Sequence, residues 1–86
     1  MENKRGQIVS SKAGHDKGCF FAIIADEGTY ALICDGKRRP LEKPKKKKYI
    51  HLSKTNYVLN EDEMKTNHAL RKAISKITRS DDSSKI

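Results

Sequence analysis

Eighty-six residues, 35% hydrophobic and 35% charged with no Trp, suffice for one small domain built around a single cluster of few large side chains. The 19 basic and 11 acidic residues leave a net charge of +8, unevenly placed: −1 over residues 1–36, +8 over 37–54 and +1 over 55–86. The longest apolar run, Cys19 to Ala25, is too short for a membrane span, no apolar stretch follows Lys4 and Arg5 as in a secretory leader, and Cys19 and Cys34 lack zinc-ligand spacing, which together disfavour a membrane, secreted or metal-binding protein.

Residues 1–5 read as a disordered start closed by Gly6. Gln7–Ser11, with β-branched Ile8 and Val9, predicts a first strand, and the turn formers of Lys12 to Lys17 predict a loop from which His15 and Lys17 project. Gly18 opens a second strand, Cys19 to Ala25, apolar on both faces and therefore central. Asp26-Glu27-Gly28 predicts a hairpin turn, Thr29 to Asp35 a third strand, and Asp35-Gly36 a second tight turn. Phe20, Phe21 and Tyr30 fall in this strand pair and are expected in the core. Both cysteines are expected as reduced thiols borne on strands.

Composition then changes. Lys37 to Pro44 carries two prolines, which favour an extended or edge segment, and Leu41 is its one candidate anchor for a short edge strand. Lys45 to Lys48 follow, and Tyr49-Ile50-His51-Leu52 alternates like a strand with one pair inward and the other outward; if Ile50 and Leu52 are core, Tyr49 and His51 lie on the surface. In the last third, Leu70, Ile74 and Ile77, flanked by Ala69 and Ala73, form a helical stripe and predict a helix over about 66–78. Its start is capped either by an Asn60–Glu63 box or by Thr66 or Asn67, and Arg71, Lys72, Lys76 and Arg79 suit its C-terminal end.

The strongest functional signal is Lys37-Arg38-Arg39, Lys43 and Lys45-Lys46-Lys47-Lys48-Tyr49. Such a block repels itself unless a polyanion neutralises it, and lysines about 3.3 Å apart on an extended chain can follow a phosphate backbone. Tyr49 and His51 beside them could stack on unpaired bases. Catalysis finds no support: His15, His51 and His68 are dispersed, no Ser or Cys sits in a nucleophile pattern, and the carboxylate clusters lie in a helix start and a tail.

The segment Gly6-Gln-Ile-Val-Ser-Ser-Lys-Ala-Gly-His-Asp-Lys-Gly-Cys-Phe-Phe-Ala-Ile-Ile24 resembles a KOW motif: strand, glycine-bearing loop with a Lys-Gly step, then a strand of large apolar residues. With Asp35 to Lys48, His51-Leu52 and Thr55-Asn56, the chain resembles small bacterial KOW-domain proteins over about residues 4–56. That family is similar to KOW-bearing large-subunit ribosomal proteins of archaea and eukaryotes, and Thr66 to Ile74 more loosely resembles its C-terminal helix. The resemblance implies an SH3-like barrel and RNA binding, with Lys12, His15 and Lys17 of the first loop as contacts.

The expectation is thus a mainly β protein: a small SH3-like (KOW) barrel of about five short strands over 1–58, a helical segment over 59–79 and a disordered tail over 80–86. It would bind RNA (rRNA or another structured RNA, on or near the ribosome) in the cytoplasm through Lys12, His15, Lys17, Lys37, Arg38, Arg39, Lys43, Lys45, Lys46, Lys47, Lys48, Tyr49 and His51. No catalytic, cofactor or metal site, no membrane and no small-molecule substrate are expected. The rival reading is an adaptor that contacts proteins of the translation or transcription machinery.

Overall fold

In the computed structural model the described residues are 4–84, with side chains described as far as Thr78. Five strands, β1 (Gln7–Ser11), β2 (Phe20–Glu27), β3 (Tyr30–Cys34), β4 (Lys45–Lys48) and β5 (Leu52–Val58), precede one helix, α1 (Asn67–Ser84). All pairings between these strands are antiparallel, in the order β4-β3-β2-β1-β5. The mainly β architecture with a C-terminal helix expected from sequence is the one the chain adopts.

The sheet cannot be flat. Four interstrand steps from β4 to β5 would span about 19 Å, yet one 3-10 turn, Tyr49–His51, joins them, and three such residues rise only about 6 Å. The sheet therefore curls into a barrel, helped by irregularities in β1 between Gln7 and Val9 and in β2 between Ile23 and Ala25. The 3-10 turn is stitched to both sides: Lys12 N–H donates to the His51 carbonyl (2.8 Å) and Tyr49 N–H to the Thr29 carbonyl (3.1 Å).

Strand alternation fills two clusters where sequence reasoning expected one. Val9, Phe21, Ile23, Ala31, Ile33 and Leu52 line the barrel interior. Ile8, Ala22 and Cys34 point the other way and pack under the helical residues Leu70, Ala73, Ile74 and Ile77. β2 is apolar on both faces because both are covered. Fully burying a side chain such as Phe21 contributes about 1.5–3 kcal/mol, so losing either cluster would consume much of a small domain's stability, typically about 5–15 kcal/mol.

Several elements differ from expectation. β2 continues through Glu27, so Glu27 pairs with Tyr30 and the turn is the two residues Gly28-Thr29, with Gly28 at φ +79°. No edge strand forms around Leu41. The Asp35 carboxylate accepts the backbone N–H groups of Lys37 and Arg39 (2.9 Å each) and folds that segment into a turn. Leu41 packs against the helix cluster instead. Ile50 is not core: it lies in the 3-10 turn, 73% exposed, because that turn breaks the alternation. Tyr30 is only half-buried.

The helix uses the Thr66 start, and the Asn60–Glu63 box closes a separate turn before it. Asn60 and Glu63 exchange reciprocal side-chain-to-backbone bonds (2.9 and 3.0 Å) around a 3-10 turn at Asp62–Met64, and the Thr66 hydroxyl accepts the Ala69 N–H (3.0 Å) at the head of α1. The helix runs to Ser84, so residues 80–84 of the expected tail are helical. Residues 85–86 of that tail, and 1–3 of the expected disordered start, lie outside the described residues. Arg5 is pinned, with Nε and Nη2 forked onto the Glu61 carboxylate (2.8 and 3.0 Å) and Nη1 on the Ile24 carbonyl (2.8 Å). Both thiols are free, and burial, with the negative charges of Asp35 and Glu42, pushes the Cys34 thiol up to about 11.

Candidate nucleic-acid interface

The lysine run is a strand, so its side chains alternate between two faces. Lys45 and Lys47 pair with Ile33 and Ala31, whose side chains fill the barrel, while Lys46 and Lys48 pair with Leu32 and Tyr30. Lys45 and Lys47 are half-buried and Lys46 and Lys48 exposed.

The inward pair is engaged. Lys45 Nζ donates to Asp16 Oδ2 (2.6 Å) and Lys47 Nζ to the Ala13 carbonyl (3.2 Å). These contacts fasten the first loop to β4 and so join two basic segments far apart in sequence. The loop is also knitted internally: Gly18 N–H donates to the Ser11 carbonyl (2.9 Å) and Cys19 N–H to the Asp16 carbonyl (2.9 Å). From this scaffold Lys12, His15 and Lys17 project into solvent.

Asp16 is the hub of that attachment, and its side chain is only 8% exposed. The Lys45 hydrogen bond holds its carboxyl below the usual carboxylate range against the opposing effect of burial, with the charges of Lys45, Arg39 and Lys47 adding to the depression. A carboxyl whose pKa is lowered by folding stabilises the native state above its unfolded pKa and loses that contribution as pH falls through the folded value. Asp16→Asn is therefore expected to lower the melting temperature at neutral pH. Losing a charge-assisted bond costs about 1–2 kcal/mol after discounting for the partly exposed Lys45, or roughly 4–16 °C in a domain of this size. Melting curves at pH 7 and pH 3 check the assignment: the gap between variant and wild type should narrow at acid pH.

The outward pair frames an aromatic ring. Lys46 Nζ lies 4.7 Å and Lys48 Nζ 6.0 Å from the Tyr30 ring centroid, and Lys46 is also 4.0 Å from a Glu27 carboxylate oxygen. Tyr30, expected in the core, thus lies on the outer face among ammonium groups. Tyr49, a residue of the expected surface site, packs against the barrel cluster instead, with its hydroxyl donating to Asp26 (2.7 Å) and Lys4 Nζ 4.4 Å above its ring. Burial and that hydrogen bond push the Tyr49 hydroxyl pKa up. His51 is exposed in the 3-10 turn.

The remaining basic residues of the run lie in the 37–44 loop. The 37–44 loop is drawn to the head of α1, where the Asn67 side chain accepts the Leu41 N–H (2.7 Å) and donates to Glu42 (2.8 Å). Lys37, Arg38 and Lys43 are exposed and Arg39 half-buried. The first half of the expected strip is thus folded by the Asp35 turn and tied to Asn67, with the Arg39 charge still acting on Asp16 beside Lys45. Sequence reasoning missed Tyr30, whose apolar neighbours suggested burial, and Asp16, one polar residue in a loop of them. It also placed Arg71 and Lys72 at the wrong end of the helix: with α1 spanning Asn67–Ser84, they lie in its first two turns.

Among the described residues no three metal-ligating side chains converge, and no helix is long and apolar enough to cross a membrane. Compared with protein-family models and with curated protein sequences, the chain matches none.

Proposed function

We propose that this chain is a non-enzymatic, cytoplasmic RNA-binding module of KOW type that engages rRNA or another structured RNA, on or near the ribosome. The observation that carries the reading is an edge strand made entirely of lysine, whose outward ammonium groups flank the half-buried Tyr30 ring while its inward pair holds the projecting loop of Lys12, His15 and Lys17. Lysines confer phosphate affinity without sequence preference, and an aromatic among them offers a stacking surface to an unpaired base. Fluorescence anisotropy with a labelled structured RNA across a salt series tests it. Four to six phosphate contacts predict a log–log slope of about −4 to −5. A slope near zero, or no binding at low salt, would sink the proposal.

One observation favours the adaptor reading. Ile50 (73%), Val58 (66%) and Tyr57 (38%) are exposed hydrophobics on or next to β5, whose outer edge is unpaired, and an open sheet edge can take up a partner strand. Association with cellular machinery that survives RNase treatment would favour it over RNA.

A further inference from the structure

A groove of about 960 Å³ lies between the start of β2 and α1, at the upper end of the roughly 300–1,000 Å³ typical of small-ligand sites. Cys19, Phe20 and Ile74 contribute its apolar wall, and Gly18 continues it into the first loop. Lys37, Arg71 and Lys72 bring three cations to its lining. Phe20 is only half-buried although it packs against the helix cluster.

The cations stand where the fold alone would disfavour them. The first two turns of a helix carry the positive end of its dipole and favour acidic side chains, yet α1 has no acidic residue in its first turn and places His68, Arg71 and Lys72 there. The 37–44 loop adds Lys37 alongside. One carboxylate lines the groove, Asp35, and its Oδ1 already accepts two backbone N–H groups. Among the described residues none of the three cations makes an ion pair. An excess of positive charge beside an aromatic wall is complementary to a ligand with a flat apolar face and an attached anion.

We infer that this groove receives one unpaired nucleotide of the bound RNA, its base against Phe20 and its flanking phosphates on Lys37, Arg71 and Lys72. The inference rests on the RNA-binding reading and deepens it. RNA held by the first loop is adjacent, because Gly18 belongs to both loop and groove. Ser10 supplies a hydroxyl in the lining for the edge of the base.

The test compares a hairpin bearing one bulged adenosine with a fully paired hairpin of equal length. Both are brought to saturation by anisotropy, and iodoacetamide labelling of Cys19 is followed by mass spectrometry, with buried Cys34 as internal reference. The bulged hairpin is expected to bind tighter by roughly fivefold to 150-fold, the worth of one stacked base, and to slow Cys19 labelling, which the paired hairpin leaves at the free rate. Ser75→Trp, which fills the groove without removing a charge, should erase the difference between the hairpins and leave affinity for the paired one unchanged. If both RNAs bind and Cys19 reacts at the free rate with each, the groove assignment is overturned and RNA binding stands. Equal protection by both hairpins also overturns it, since the groove would then hold backbone only. If neither RNA binds, the RNA reading fails and the groove assignment with it.

Discussion

Gly36→Ala is expected to lower the melting temperature by roughly 8–40 °C, well beyond the effect of Gly28→Ala. Both glycines adopt left-handed backbone, φ +78° and +79°, which costs an L-residue about 1–2 kcal/mol. The sites differ in what a β-carbon would meet. At Gly28 nothing lies within 4 Å, whereas at Gly36 it would drive into the Asn67 carbonyl oxygen and stand 3.0 Å from the Arg71 nitrogen. These are backbone atoms of the first turns of α1, which cannot rotate away. Pushing the helix back loosens its packing over Ile8, Ala22 and Cys34 and adds about 1–3 kcal/mol, with each kcal/mol worth about 4–8 °C. Thermal melts of the two variants side by side decide it: equal shifts would mean the turn does not press on the helix.

The lysine run is expected to divide by function, not to act as four equal charges. Lys46→Gln with Lys48→Gln should leave melting almost unchanged, because exposed substitutions stay within about 0.5 kcal/mol. RNA affinity should fall on the order of a hundredfold, at about a factor of ten for each charge-assisted hydrogen bond to phosphate removed, and the salt slope should flatten by about 2. Lys45→Gln with Lys47→Gln should do the reverse. Its main effect is on stability, since Asp16 is left buried without its partner and the Ala13 carbonyl loses its donor; any loss of affinity follows from the loosened loop. Melting and anisotropy on both double variants give four numbers. The division fails if the two variants cannot be told apart in either measurement.

Much of this architecture was legible in the residues. β1 was bounded at Gln7 and Ser11 by its β-branched pair and the loop formers after it. Apolar character on both faces of β2 announced a strand covered on both sides, though not that the two coverings would be separate clusters. The stripe Leu70, Ala73, Ile74, Ile77 found its buried face, and the charge count located the cations in the middle third. These readings succeed because hydrophobic contrast along the chain reports directly on burial.

Other features carried no such contrast. Four identical lysines have no apolar residue to mark which side faces the barrel, so only the register against Ile33, Leu32, Ala31 and Tyr30 assigns Lys45 and Lys47 to the loop and Lys46 and Lys48 to solvent. Ile50 broke its apparent alternation because a 3-10 turn had to carry the chain from one edge of the curled sheet to the other, a demand set by closure and invisible in Tyr49-Ile50-His51 itself. The turn that carries Lys37, Arg38, Arg39 and Lys43 depends on Asp35 and on Asn67, some thirty residues later in the chain. The sequence by itself determined how much charge the protein carries, its first three strands and the buried face of its helix. Tertiary structure alone decided which charges are spent on the fold and which stay available, because a side chain's direction depends on neighbours that the linear order does not place beside it.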